Sequence, residues 1–482
     1  RALELVVAQS GGFDVSRELA LRIGQLADAG AVPGQIAAAV RRGWAARTRD
    51  AVVESYVMGL LWNPSTHIAN TTGNTLGILQ QITDRMAAER VSVLAGRAPG
   101  EGVAPGEAAG QVYGLLTGLR DAFRMAGQAL RTGETGAGIP GRADAARNPA
   151  ITAAAFGLDE AGTVGRVVDF LGRATRIPGH LLAASDAFFS SIGYRMELGA
   201  QAMRMATSEG LEGPALYTRV GELMSNPPSA ITMRAADAAL YMTFQNEPGA
   251  LAQNLMRIRN LRGADDSAIG QLNPMFLVLP YIRTPANIVS YAFEHSPLAP
   301  LVGRWRADIA AGGAARDLAL ARIGTGTALT LLAIDAANNG LITGAGPQDA
   351  AEREAMTRQG WQPYSVRVGN NWVSINRMDP WAMTIGAAAN MVDAFNRREI
   401  DPEHMDEWQE VVAQMIAAVS RSTIDRNYLR GASDFFALMN DPRQRAAGFV
   451  NQQIRSMVPF TSLFATAERA LDPVQRQAND PL

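Results

Sequence analysis

Apolar residues in this chain recur every three to four positions almost from end to end, the repeat that gathers them on one face of an α-helix. Leu3, Leu5 and Val6, then Leu19, Leu21, Ile23 and Leu26, open the pattern, and Gly30 and Pro33 break it. A second helix is expected from Ile36 through Tyr56 and Met58. The string Trp62-Asn63-Pro64-Ser65-Thr66 then puts a proline in a first-turn position beside Ser and Thr, a signature of a new helix start, and Ile68, Leu76, Ile78, Leu79 and Ile82 continue it. Strand-type alternation occurs once, where Val366, Val368, Val373 and Ile375 surround Gly369-Asn370-Asn371. The expected fold is therefore mainly α: a multi-helix, extended assembly protein with one small β-hairpin near 364–376.

Composition supports this. Hydrophobic residues make up 47% of the chain and aromatics only 6%, a palette of Ala, Leu, Met and Val that favours helices over sheets. At 482 residues the chain exceeds what one core serves, so several regions are expected. These are an N-terminal helical region over 1–95, a loop-rich insertion with one helix over 96–150, a long-helix core over 151–300, an apolar helix plus hairpin over 301–400, and a C-terminal helical region over 401–482. The inserted helix is expected around Leu115 to Leu130. In the core region a helical stretch from Val164 to Met205 should end or kink at Ile177-Pro178-Gly179, and another helix should follow Asn226-Pro227-Pro228-Ser229.

Several classes of chemistry lack their residues. There is no Cys and no Lys, which removes disulfides, thiolate metal sites and the ordinary P-loop. The net charge of −2, with all 44 basic residues Arg, gives no basic footprint for tight nucleic-acid binding. His67, His180, His295 and His404 are spaced too widely for a sequence-local metal site, and surface or capping roles are expected of them. Gly136-Ala137-Gly138-Ile139-Pro140-Gly141 matches a dinucleotide loop by letter, but loop surrounds it and Pro140 lacks an N–H. The acidic run Asp401, Glu403, Asp406, Glu407 and Glu410 reads as a solvated helix start. Trp361, Trp372 and Trp381 read as packing between the hairpin and helices. No cofactor and no catalytic residue is expected.

The most apolar stretch, Ile323 to Ile334, is bounded by Arg322 and Asp335 and by itself is shorter than a bilayer requires. Its small residues suit a closely packed helix. Ile323, Leu329, Leu331, Leu332 and Ile334 are the candidate contacts to a membrane or to sister copies.

Strings taken in order carry a family resemblance. Asn63-Pro64-Ser65-Thr66-His67-Ile68-Ala69-Asn70 with Gly73-Asn74 comes first, then Pro178-Gly179-His180-Leu181-Leu182 and Ser185-Asp186-Ala187-Phe188-Phe189. Pro280-Tyr281-Ile282-Arg283-Thr284-Pro285-Ala286-Asn287-Ile288 and Gly360-Trp361-Gln362-Pro363-Tyr364-Ser365 follow, with Val458-Pro459-Phe460 and Asp472-Pro473 at the end. From about residue 60 onward the chain resembles the large polyvalent proteins of podovirus-like phages, which include internal virion and DNA-ejection proteins. Asn63, Pro64, Thr66, His67, Asn70, Asn74, Arg283, Thr284, Pro285, Asn287, Trp361 and Pro363 match as structural motifs.

The resemblance implies a core protein that leaves the capsid and forms part of a conduit through the host envelope. Its implied partners are its own copies in a ring or tube, other ejection or core proteins, the portal, DNA passing without sequence readout, and the envelope membrane. Its implied location is the virion interior and then the host periplasm and envelope. A peptidoglycan-degrading segment and a membrane-inserting pore component are the alternatives. Opening at Arg1, the chain reads as a piece of something longer.

Overall fold

A computed structural model describes residues 44–134, 150–259 and 279–396, apart from 99, 280 and 348. Helices before residue 44, the glycine-rich 136–141 segment, the Asp401–Glu410 acidic run, His404, and the Val458-Pro459-Phe460 and Asp472-Pro473 strings lie outside the described residues.

The described chain is mainly α with one hairpin, as expected. In order it forms α1 (Trp44–Leu61), α2 (Pro64–Leu94), α3 (Glu107–Thr132), α4 (Ala153–Phe156), α5 (Thr163–Ser208), α6 (Gly213–Ser225), α7 (Ser229–Met242) and α8 (Ala250–Arg259). Next come α9 (Arg283–Glu294), a 3₁₀ turn (Ala299–Leu301), α10 (Gly303–Ala311), α11 (Gly313–Asn338) and α12 (Ala350–Arg358). Strands β1 (Ser365–Val368) and β2 (Asn371–Ser374) and helix α13 (Trp381–Asn396) complete it.

Local chemistry sets the helix boundaries. Asn63 is the N-cap of α2, its side chain accepting from the Ser65 N–H at 3.1 Å, with Pro64 in the first turn, where its missing N–H costs nothing. Thr152 and Asp349 cap α4 and α12 in the same way. Gly133, at φ 76, takes the left-handed conformation that closes α3.

Of the two outcomes expected at Pro178 of α5, an end or a kink, the end does not occur. This 46-residue helix runs through Pro178 without ending there. Proline removes one helical hydrogen bond, but Pro178 is buried and the segment around it is held from outside the helix. Met58 packs on Gly179, and Leu182 clusters with Met58 and Leu61.

The α3–α5 pair is the most extensive helix contact. Gly110, Gly114 and Gly118, one turn apart, meet Gly199 and Arg195 of α5, so the helices run antiparallel with backbones in contact. A β-carbon at Gly110 would sit 2.6 Å from the Gly199 carbonyl oxygen. Ile78 of α2, Ala122 of α3, Ile192 and Met196 of α5 and Met242 of α7 close the central cluster, each large side chain contributing roughly 1.5–3 kcal/mol by leaving water. The carboxyl end of α5 buries Leu198 and Met203 against Val220 and Leu223 of α6 and Ile231 of α7.

Helix α11 packs against α2 and α13. The hairpin pairs Val366 with Val373 around the two-residue loop Gly369-Asn370, with Gly369 at φ 62. A bridge from Ile342 to Val366 and a bond from the Ala345 N–H to Asn390 Oδ1 at 2.7 Å fasten it to α13.

Candidate functional site

Two places concentrate polar side chains where the fold would otherwise be apolar. The first is an ionic centre inside the bundle. Asp84 of α2, 1% exposed, accepts hydrogen bonds from Gln80 at 2.7 Å and the Thr325 hydroxyl at 2.6 Å. Its other oxygen lies 2.8 Å from His295 Nε2. His295 Nδ1 lies 2.9 Å from the Tyr291 carbonyl, so each ring nitrogen faces an acceptor, and the Tyr291 ring stacks on the imidazole at 4.1 Å. Beside it, Tyr241 donates to Glu294 at 2.7 Å, and Arg322 reaches both Glu294 and Asp308 at 3.4 Å. The guanidinium groups of Arg304 and Arg322 lie 4.0 and 4.8 Å from the Tyr241 ring centre.

Electrostatics follow from burial. Burial alone would push the Asp84 carboxyl up, but the charge and hydrogen bond of His295, with Thr325 and Arg322, hold it below the usual carboxylate range. Burial pushes the Tyr241 and Tyr291 hydroxyls well up, and it raises Asp308 against the pull of Arg322. Tyr241 and Tyr291 therefore stay protonated, and cations and carboxylates neutralise one another in pairs.

A second buried set adjoins on α2. Arg85 pairs with Glu107 at 2.8 Å and with Glu197. Arg204 forks onto Glu107 at 2.6 and 2.7 Å, and Glu107 also accepts the Ala104 N–H at 2.6 Å. Arg97 and the Val103 N–H hold Asp317. These contacts tie α2, α3, α5 and α11 together. Buried between helices, these pairs hold the positions of the elements that carry them.

The second place is a surface groove of about 380 Å³ between the start of α2 and the middle of α5, lined by Trp62, Pro64, His67, Pro178, Leu181 and Ser185 among others. His67 Nε2 lies 2.9 Å from the Leu61 carbonyl, capping α1, and His180 Nδ1 lies 3.0 Å from the Leu130 carbonyl of α3. Asn70 donates to the Ser185 hydroxyl at 3.0 Å and reaches Asp186 at 3.4 Å. Two strings more than 100 residues apart in sequence thus meet here.

The remaining motif residues are scattered. Thr66 lies half-buried in the first turn of α2, and Asn74 is buried two turns beyond it. Arg283 and Thr284 start α9, and Pro285 and Asn287 are buried there. Asn287 donates to the carbonyls of Phe244 and Asn246 at 2.9 and 2.7 Å and so holds a turn in which Phe244 has φ 57. Trp361 and Pro363 are half-buried beside the hairpin, Trp361 against Gly346.

The apolar run is corrected in two ways. It belongs to the 26-residue helix α11, long and apolar enough to cross a membrane by length and composition, and Arg322 is a buried residue within that helix rather than its boundary. Ile323, Leu329 and Ile334 are half-buried, while Leu331 and Leu332 are 61% and 69% exposed. Of the surface and capping roles expected, His295 takes the capping one, as the buried C-cap of α9, with an ionic partner in addition. Asp84, Glu294, Arg322 and His295 were not singled out from sequence as a site. Their only signal is charge within otherwise apolar helical faces.

Among the described residues no group of His, Asp and Glu is arranged to hold a metal ion. Compared with protein-family models, curated proteins and solved structures, the chain matches none.

Proposed function

We propose that this chain is a structural virion protein of the internal core or ejection class, which associates with its own copies to form part of a conduit for genome delivery through the host envelope. The observation that carries the assembly reading is the set of large apolar side chains left in solvent on helices otherwise well packed. Phe123 is 67% exposed and Phe170 63%. Large exposed apolar side chains mark protein or membrane contact surfaces where they are contiguous. The virion role itself rests on the ordered sequence strings that resemble the phage proteins.

Composition is compatible with passage through a narrow portal. No disulfide has to be reduced, and helices with local contacts re-form quickly.

The test is to detect the chain by mass spectrometry in purified virions that encode it, before and after triggered DNA release. The expected result is its presence in full particles and its loss from emptied ones. Retention after release, or absence from the particle, overturns the ejection role.

A second reading, membrane contact through the distal end of α11, is favoured by the exposure of Leu331 and Leu332. The Arg322 and Thr325 contacts to Glu294 and Asp84 restrain the proximal half, so the contact would be made by the distal turns.

A further inference from the structure

Asn339-Gly340 is the one place in the chain where asparagine is followed by glycine. A glycine nitrogen has no side chain beside it and its backbone turns freely, so in such a pair it can reach the asparagine side-chain amide and attack it. The fold puts the pair at a helix end. Asn339 is the C-cap of α11, and Gly340, at φ 68, takes the left-handed position that follows a cap. Both residues are exposed.

The cap keeps the reacting groups apart. The Asn339 side-chain amide donates to the Asp335 carbonyl at 2.9 Å, and the Gly340 N–H, whose nitrogen is the nucleophile, donates to the Ala337 carbonyl at 3.0 Å. With ψ 5 at Asn339 the Gly340 nitrogen is swung away from the Asn339 β-carbon, whereas closing a five-membered ring needs the two eclipsed. The hairpin braces the same turn. The Leu341 N–H donates to the Ala336 carbonyl at 2.8 Å, and the Leu341 carbonyl accepts the Arg367 N–H of β1 at 2.8 Å. The helical turns leading into the cap carry the exposed Leu331 and Leu332, and weakly buried helix ends open ahead of the core.

We propose that Asn339 is a deamidation site gated by the cap of α11, closed while the cap is formed and reactive when the distal turns unwind. Once released, the Gly340 nitrogen gives up its proton to water and bonds to Asn339 Cγ. The Cγ–Nδ2 bond then breaks, and the side-chain nitrogen takes a proton and leaves as ammonia. The succinimide ring takes up one water and opens at either carbonyl, leaving an aspartyl residue or an isoaspartyl link. Each product puts a negative charge at the carboxyl end of α11, where the helix dipole disfavours it, and loses the amide that donated to Asp335. The isoaspartyl link also lengthens the main chain between α11 and the hairpin brace. Modification therefore hinders the cap from re-forming, and the opening becomes hard to reverse.

The test holds the full-length chain in mildly alkaline buffer, native or in guanidinium chloride, and follows the peptide containing Asn338, Asn339 and Gly340 by mass spectrometry. Asn339 should convert roughly ten-fold or more faster in the unfolded chain, since a reaction confined to the open form tracks its population. Asn338, followed by Asn339 rather than glycine, is the internal control and should lag in both. Leu341→Pro removes the N–H that bonds Ala336 without altering either reacting group, and should raise the native rate about three-fold or more with helical circular dichroism retained. Hydrogen exchange of the converted chain should be faster at Gly340 and Leu341 than in the unconverted one. An Asn339 that stays intact in guanidinium chloride overturns the site. Equal native and unfolded rates, or a native rate indifferent to Leu341→Pro, overturn the gate, and unchanged exchange after conversion overturns the hindered closure.

Discussion

Asp84 and His295 stand 211 residues apart in sequence and meet at 2.8 Å in the interior, carboxylate oxygen to ring nitrogen. The pair joins α2 to the end of α9. Because the Asp84 carboxyl is held below its ordinary range, its stabilising contribution is fully present above the unfolded carboxylate value, about 3.9, and is lost as pH falls through the lower folded value. Asp84→Asn is expected to cost about 3 kcal/mol at pH 7, as for a buried pair that loses one partner. In urea unfolding the gap between wild type and variant should narrow as pH drops below about 4. A gap that stays constant from pH 7 to pH 3 would count against the ionic role.

The glycines of α3 are a packing requirement rather than a source of flexibility. A β-carbon at Gly114 would run into the backbone of Arg195. Gly114→Val should destabilise the fold by about 2–3 kcal/mol through overpacking. Gly127, with open space at its β position, should be stabilised or left unchanged by Gly127→Ala, since alanine favours a helix interior by about 1 kcal/mol. Thermal melts of the two variants should move in opposite directions, or only the first should move.

Arg85 neutralises Glu107 and Glu197 at once. Arg85→Ala leaves both carboxylates buried with less compensation and is expected to cost about 3–5 kcal/mol. Arg219, on the surface of α6 with Glu209 and Glu222, should lose far less on substitution by Ala, because its exposed pairs are screened by water. Chemical denaturation of both variants measures the contrast, and equal losses would mean that burial does not govern these pairs.

The distal turns of α11 are expected to be independent of the core. Leu331→Asp and Leu332→Asp should change stability by no more than about 0.5 kcal/mol, as for exposed positions. If those turns touch lipid, flotation of the chain with anionic liposomes should fall in both variants. Flotation that is absent in wild type, or indifferent to the substitutions, removes the membrane contact.

What could be read from the residues was local. Pro64 beside Ser65 and Thr66 marked the start of α2, and Gly369-Asn370-Asn371 between alternating apolar residues marked the hairpin, because capping and turn formation involve groups only a few residues apart. Helical periodicity likewise showed that apolar faces existed, and apolar content marked the stretch that lies in α11.

Which charges would be buried was decided by the tertiary structure alone. Arg322 beside the apolar run looks like a boundary until α9 brings Glu294 and α10 brings Asp308 within reach of its guanidinium. His295 reads as a surface or capping residue, and its ionic role appears only when α2 delivers Asp84. Pro178 reads as an end or a kink, and α5 continues through it with Met58 and Leu61 of α1 packed beside that turn. Sequence determined the elements through short-range chemistry, while the fold decided their partners, since an ion pair across 211 residues leaves no local trace in the chain.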